Sequence, residues 1–240
     1  MRPMPGSPPT NPNNPDFTPQ DPAPRAAYPP RIEGFALGPF QTNCYIVAAP
    51  PPTTDCWIID ASFNPQPLID RIRQRGLTPS RIILTHAHID HIAGLDDIRL
   101  AFGSIPVSIH AHESAFLADP ELNLSAPYGL PFSTAGPDIL LHGGETLTLA
   151  GERWLVLHTP GHSPGGITLW NEPAALALVG DTLFAGSIGR SDFPTSDEAE
   201  LHRSIREVLY RLPNQTIIYP GHGPTSTIGR EKHSNPFVRE

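Results

Sequence analysis

From Arg31 onward the chain is built of short apolar runs: RIEGFAL, NCYIVAA, CWIIDA, RIILTH, PVSIH, ETLTLA, RWLVLHT, GITLW, ALALVGD and TIIYPGH. They are rich in Val, Ile, Leu, Thr and aromatic residues and are separated by Gly, Pro, Asn and Asp, which predicts strands. Helical spacing lies between them near residues 65–75 (PQPLIDRIRQR), 91–102, 111–118 and 196–212. The last of these puts Leu201, Ile205, Val208, Leu209 and Leu212 on one apolar stripe. Strands outnumber helices, and several follow one another with no crossover helix between them. That arrangement predicts two mixed β-sheets packed face to face with helices on the outside.

Two segments break the pattern. Residues 1–30 hold 11 of the 31 prolines and almost no apolar residues. Proline removes backbone donors and blocks helix, so this stretch is expected to be an extended arm attached to a domain of residues 31–240. A Pro- and Gly-rich insert over 119–145 interrupts the strand pattern, and its apolar content predicts packing against the mouth of a site.

Composition narrows the function classes. The 240 residues carry a formal charge of -8 with only 16 Lys and Arg, scattered along the chain, which disfavours nucleic acid as the main partner. No apolar run approaches a membrane span and no secretion signal is legible, so a soluble cytoplasmic protein is expected. Cys44 and Cys56 sit in separate β-branched runs without a C-x-x-C frame, and read as buried free thiols rather than ligands.

The chemistry is concentrated where strands end. RIILTHAHIDH delivers His86, His88, Asp90 and His91; LVLHTPGH delivers His162; ALALVGD delivers Asp181; TIIYPGH delivers His222. Strand ends hand rigid backbone over to loops that can converge on one site, and the adjacent Gly161, Gly180, Gly221 and Gly223 permit tight turns there. Seven N and O donors exceed one tetrahedral zinc and suit two metals that share a bridging ligand. Alternation along an extended segment points His86 and His88 one way, while Asp90 and His91 reach a second centre once a helix begins.

T-H-x-H-x-D-H followed by single His, Asp and His residues at later strand ends resembles the metallo-β-lactamase superfamily. TNCYIV, TPGHSPGG, GDTLFAGSIGRSDFP, YPGHGPTSTIGRE and NPFV are further similar to short bacterial glyoxalase II-like hydrolases. The resemblance covers about residues 31–240 and implies an α/β fold, a four-layer αβ/βα sandwich of two mixed sheets. It implies that His86, His88 and His162 hold one metal, that Asp90, His91 and His222 hold the other, and that Asp181 bridges them. The implied cofactors are two divalent ions, zinc with iron or manganese as alternatives, and Asp90 also orients the nucleophile. The implied substrate is a small-molecule thioester such as S-lactoylglutathione. Glyoxalase II enzymes of the longer kind carry a C-terminal helical domain that contacts glutathione. Here only about a dozen residues separate His222 from NPFV, which weakens the glutathione assignment.

The main rival is a persulfide dioxygenase, similar in the same motifs, with one iron held by His86, His162 and Asp181. The SIGRSDFP segment looks more like the hydrolases. Arg190 in that segment, with Arg230 and Lys232 near the C-terminus, are candidate contacts for an anionic substrate. His110 and His112 have a metal-like i, i+2 spacing, but no convergent partner is identifiable in the sequence. His158 reads as a core or supporting imidazole, and His142, His202 and His233 as loop or surface residues.

Overall fold

The computed structural model describes residues 30–239, so the proline-rich arm falls outside the described residues except for Pro30. The strands in chain order are β1 (Arg31–Leu37), β2 (Thr42–Ala48), β3 (Asp55–Ile59), β4 (Thr78–Ile83), β5 (Val107–His110), β6 (Ile139–Leu141), β7 (Thr146–Leu149), β8 (Glu152–His158), β9 (Ile167–Asn171), β10 (Leu176–Gly180), β11 (Leu183–Phe184), β12 (Ser187–Ile188), β13 (Ile217–Pro220) and β14 (Ser226–Thr227). The α-helices are α1 (Gln66–Gln74), α2 (Ile89–Ile92), α3 (Leu95–Phe102), α4 (Glu198–Arg203) and α5 (Ile228–Ser234). One sheet runs β1-β2-β3-β4-β5-β6, antiparallel up to β3 and parallel from there on. The other runs β14-β13-β10-β9-β8-β7 and is antiparallel except where β10 meets β13. Both sheets are mixed, as the strand pattern predicts.

Strand alternation builds the layers. Along β2, Cys44, Ile46 and Ala48 pack with Leu68, Ile72, Ile92 and Ile98 of α1, α2 and α3. Their neighbours Tyr45 and Val47 point the other way, and with Trp57 and Ile59 of β3 they meet Trp154, Val156, Leu169 and Leu178 of the second sheet. On the far side of that sheet, Leu155, Leu157, Ala177 and Val179 cover Leu201, Ile205, Leu209 and Ile228. Three cores between four layers give the αβ/βα sandwich, because the central strands β2, β3, β9 and β10 bury both of their faces. Among the described residues, no helix is long and apolar enough to cross a membrane. Both cysteines are free and buried, and Cys44 Sγ accepts a 3.1 Å hydrogen bond from the Ser62 amide.

Three predicted helices take a different form. The helix expected over 91–102 starts at Ile89 and breaks between α2 and α3 at Gly94. There the backbone passes so close to Ser62 that an added Cβ would lie 2.3 Å from the Ser62 carbonyl oxygen. The helix expected over 111–118 is instead a single 3₁₀ turn, Ala111–Glu113, followed by turns. Amides at Ser114, Phe116, Ala118 and Asp119 bond back three residues rather than four, which leaves Phe116 and Leu117 both buried. The stretch 196–212 begins as α4, capped by Asp197 Oδ1 on the Glu200 amide, then widens to a π turn and closes in a 3₁₀ turn while burying the predicted stripe.

The insert divides in two. The buried Asn123 donates to the carbonyls of Phe116 and Phe132, and its own carbonyl accepts the Ile89 amide at 2.8 Å, pinning this part to the start of α2. Residues 139–141, predicted as loop, pair with β5 and complete the sheet edge.

Candidate metal centre

Each ligand-type side chain stands just past a strand's C-terminal end. His86 and His88 follow β4, and α2 presents Asp90 and His91. His162 follows β8, Asp181 follows β10 and His222 follows β13. The two sheets are stitched together at this end, where the Asn43 amide donates to the Gly221 carbonyl at 2.7 Å and Tyr45 Oη donates to the Pro220 carbonyl at 2.6 Å. Gly221 is required for close approach, since a Cβ there would sit 2.0 Å from Asp181 Oδ1.

All seven residues fall into three overlapping groups whose donor atoms lie within 4.8 Å of one another: His86, His88 and His162; Asp90, His91 and His222; and His86, His91 and Asp181. The Asp181 carboxylate stands between the first two. Its Oδ2 is 3.6 Å from His162 Nε2 and 3.4 Å from His222 Nε2, while its Oδ1 is 3.5 Å from His91 Nε2. Asp90 Oδ2 lies 3.2 Å from His222 Nε2 and 3.4 Å from His91 Nε2.

The donor set fits cations. His86 Nε2, His88 Nε2, His91 Nε2 and Asp181 Oδ1 are buried without a hydrogen-bond partner among the described residues. One orphaned buried polar group costs about 1–3 kcal/mol, so four together point to a ligand that satisfies them. Electrostatics divide the site. Burial, reinforced by neighbouring imidazoles, holds His86 and His88 well below the usual histidine range. At His91 burial also works downward, but Asp90, Asp60 and Asp181 outweigh it and hold the ring well above that range. His222, despite burial, is raised to about 9 by the hydrogen bonds it donates to the Asp181 and Asp90 carboxylates. Asp90 is lowered to about 2, its own burial outweighed by His91 and His222. The protons that balance the carboxylates are therefore those a metal would displace.

A supporting layer fixes the rings, and sequence reasoning missed its two acidic members. Asp60, at the end of the CWIID run with φ of 60°, accepts the Thr85 amide at 2.7 Å on Oδ1. Its Oδ2 accepts the Thr85 hydroxyl at 2.8 Å and the His91 Nδ1 proton at 2.9 Å, which leaves His91 Nε2 turned to the site. The signal was present, because an acid ending an apolar strand is the pattern that singled out Asp181. Glu113 is fully buried and ties two ligand loops together. It accepts the Ala87 amide at 2.5 Å, the Gly165 amide at 2.7 Å and the Ser163 hydroxyl, and burial pushes its pKa up. His162 Nδ1 donates to the Arg190 carbonyl at 2.8 Å, and Thr42 Oγ1 donates to Asp90 Oδ2 at 2.7 Å.

Above the cluster opens a cavity of about 380 Å³, floored by His88, Asp90, His162, Asp181 and His222 and walled by Phe40, Leu124, Tyr128, Phe184, Ile188 and Phe193. Leu124 and Tyr128 come from the insert, which thus packs at the site mouth. Arg190 lines this cavity, forks onto Asp192 with two 2.8 Å bonds, and lies over the Phe193 ring at 4.3 Å. Arg230 and Lys232, the other two predicted substrate contacts, stand on α5 and do not line it. Lys232 instead donates to the Tyr210 carbonyl at 3.0 Å.

Residues 37–222 match the family model of the Metallo-beta-lactamase superfamily. The chain belongs to that superfamily. A probable metallo-hydrolase of Bacillus subtilis (strain 168) is 37% identical over 84% of this chain and 94% of its own length. The hydroxyacylglutathione hydrolase GloC of Haemophilus influenzae is 36% identical over 86% and 97% respectively. Among solved structures, BLEG-1 B3 metallo-beta-lactamase superposes with a TM-score of 0.83 at 40% identity, covering 88% of this chain and all of that one. TTHA1623 in a di-iron-bound form superposes with a TM-score of 0.75 at 34% identity, covering 86% and 100%. The chain is therefore a metallo-hydrolase with a divalent-metal centre in the superfamily fold.

Proposed function

We propose that this metallo-hydrolase is dinuclear and hydrolyses thioesters, with S-lactoylglutathione or a related glutathione thioester as substrate. The observation that carries the reading is the placement of Asp181, one carboxylate shared between the group of His86, His88 and His162 and the group of Asp90, His91 and His222. When bound, two divalent ions supply Lewis acidity to a carbonyl oxygen and lower the pKa of a water toward neutrality. Asp90, its Oδ2 held by the Thr42 hydroxyl, faces the cavity and orients the attacking water as a hydrogen-bond acceptor. The aromatic wall of Phe40, Tyr128, Phe184 and Phe193 excludes bulk water around the reacting ester. Arg190 at the rim supplies positive charge for a carboxylate on the thiol half of the substrate.

A thiolate leaving group, with a pKa near 8 to 9, needs little protonation, which suits a cavity with no dedicated general acid. The similarity to the hydroxyacylglutathione hydrolase supports the glutathione assignment. The test is a metal-loaded sample assayed against a thioester panel, with the ions held around Asp181 counted per chain. Turnover of S-lactoylglutathione with two ions per chain is expected. Two ions per chain with no turnover of any glutathione thioester overturns the substrate class, and a single iron with oxygen uptake on glutathione persulfide overturns the hydrolase reading in favour of a dioxygenase.

A further inference from the structure

A second group of imidazoles lies away from the centre described above. His110 ends β5 in one sheet, His112 sits in the 3₁₀ turn that follows, and His158 ends β8 in the other sheet. The three offer ring nitrogens within 4.8 Å of one another, the same spread that encloses His86, His88 and His162. The rings of His110 and His158 stack at 4.0 Å with 9° between planes, and His112 stands edge-on to both, at 4.7 Å and 5.5 Å.

Like-charged imidazolium rings would not stack in this way. Burial, reinforced by the His158 ring, pushes His110 down to about 4, and burial also lowers His158, so both are neutral at pH 7 with their lone pairs free. The hydrogen bonds match those that orient metal-binding histidines. The Pro164 carbonyl lies 3.0 Å from His158 Nε2 and 3.3 Å from His112 Nδ1 and accepts from both, so His158 Nδ1 and His112 Nε2 are the nitrogens turned away from that bond. His110 is 2% exposed, and its Nδ1 accepts only a long 3.3 Å bond from the His112 amide, so Nε2 carries the ring proton and Nδ1 is the nitrogen with a lone pair to give an ion.

We propose that His110, His112 and His158 form a separate cation site for a borderline divalent ion of the zinc class, joining the C-terminal ends of β5 and β8 across the two sheets. Three imidazoles and no carboxylate select zinc, copper or nickel over magnesium or calcium. Tetrahedral ligation at 2.0–2.1 Å brings ligand nitrogens to about 3.3 Å from one another; the exposed His112 reaches this by rotation of its side chain, and the parallel His110 and His158 rings turn out of their stack so that an in-plane lone pair of each meets the ion. His142, with its ring 6.4 Å from that of His110, stands near enough to supply the fourth ligand in place of water. Because Pro164 belongs to the same loop as His162, an ion here stiffens the segment that carries a ligand of the main centre.

The experiment strips the full-length protein with chelator, reloads it with zinc at pH 7.5, removes free zinc and counts ions per chain for the wild type, His112→Ala and His158→Gln. Both variants are expected to hold one ion fewer per chain than the wild type. They should also lose the rise in melting temperature that accompanies the last equivalent of zinc. This difference does not depend on whether the main centre holds one ion or two. Equal zinc content in the wild type and His112→Ala overturns the proposal, and any extra ion found in both is then adventitious. His112 is exposed, so His112→Ala decides the matter even if His158→Gln fails to fold.

Discussion

Replacing Asp60 with asparagine preserves shape and removes charge at a residue that touches no substrate, and its effect on metal binding follows from hydrogen-bond accounting. Asp60 receives three donors: the Thr85 amide on Oδ1, and the Thr85 hydroxyl with the His91 Nδ1 proton on Oδ2. The Thr85 amide has to keep an acceptor because it is buried, so the asparagine places its carbonyl there and turns its amino group toward His91. Facing a donor, His91 Nδ1 must become an acceptor, and the ring shifts to the Nε2–H tautomer. Nε2 is the atom 3.4 Å from Asp90 and 3.5 Å from Asp181, so the variant loses a lone pair where the metal needs one. Losing such a supporting partner costs about 10–100-fold in metal affinity, or about 1.4–2.7 kcal/mol. Asp60→Ala leaves room for water to accept from Nδ1 and keeps the productive tautomer, so the isosteric change is expected to weaken binding more than the truncation. The assay is zinc competition against a chromophoric chelator for the wild type and both variants. Affinity of Asp60→Asn within twofold of the wild type, or equal to that of Asp60→Ala, refutes the tautomer argument.

Gly221→Ala adds one methyl group where a Cβ meets Asp181 Oδ1 at 2.0 Å, so the shared carboxylate must move. Misplacement on the order of 1 Å costs about 100-fold in kcat, which steady-state hydrolysis rates would show against unchanged circular dichroism. Metal affinity of the apo-protein should rise with pH between 7 and 9. His222 is raised to about 9, so below that pH an incoming ion must expel its proton, and above it the proton is already gone. Zinc titrations across that interval check the sign, and a flat or falling profile contradicts it.

Much of the site could be read from the chain because its donors occur at a repeated address. Strand after strand ends in Gly, His or Asp, and the structure brings His86, His88, Asp90, His91, His162, Asp181 and His222 within reach of one another. Asp60 carries the same signature, an acid closing an apolar strand, but no motif surrounds it to set it apart. Glu113 carried none, since a lone glutamate after two histidines reads as surface until burial shows it clasping the loops of Ala87 and Gly165. His110, His112 and His158 failed for a related reason: the i, i+2 pair was visible, but its partner sits 46 residues beyond His112 on a different sheet. Arg230 and Lys232 show the reverse, because charge near the C-terminus does not report that α5 stands apart from the cavity lining.

By itself the sequence determined the layered class of the fold and the chemical identity of the main donors. Alternating burial and strand-end residues are local properties, written in periods of two and in short motifs. Only the tertiary structure decided which sheet each strand joined, which side chains share Asp181, and which imidazoles face one another across the sheets. Those relations are distances between residues remote in the chain, set by packing two sheets face to face, and no local period encodes them.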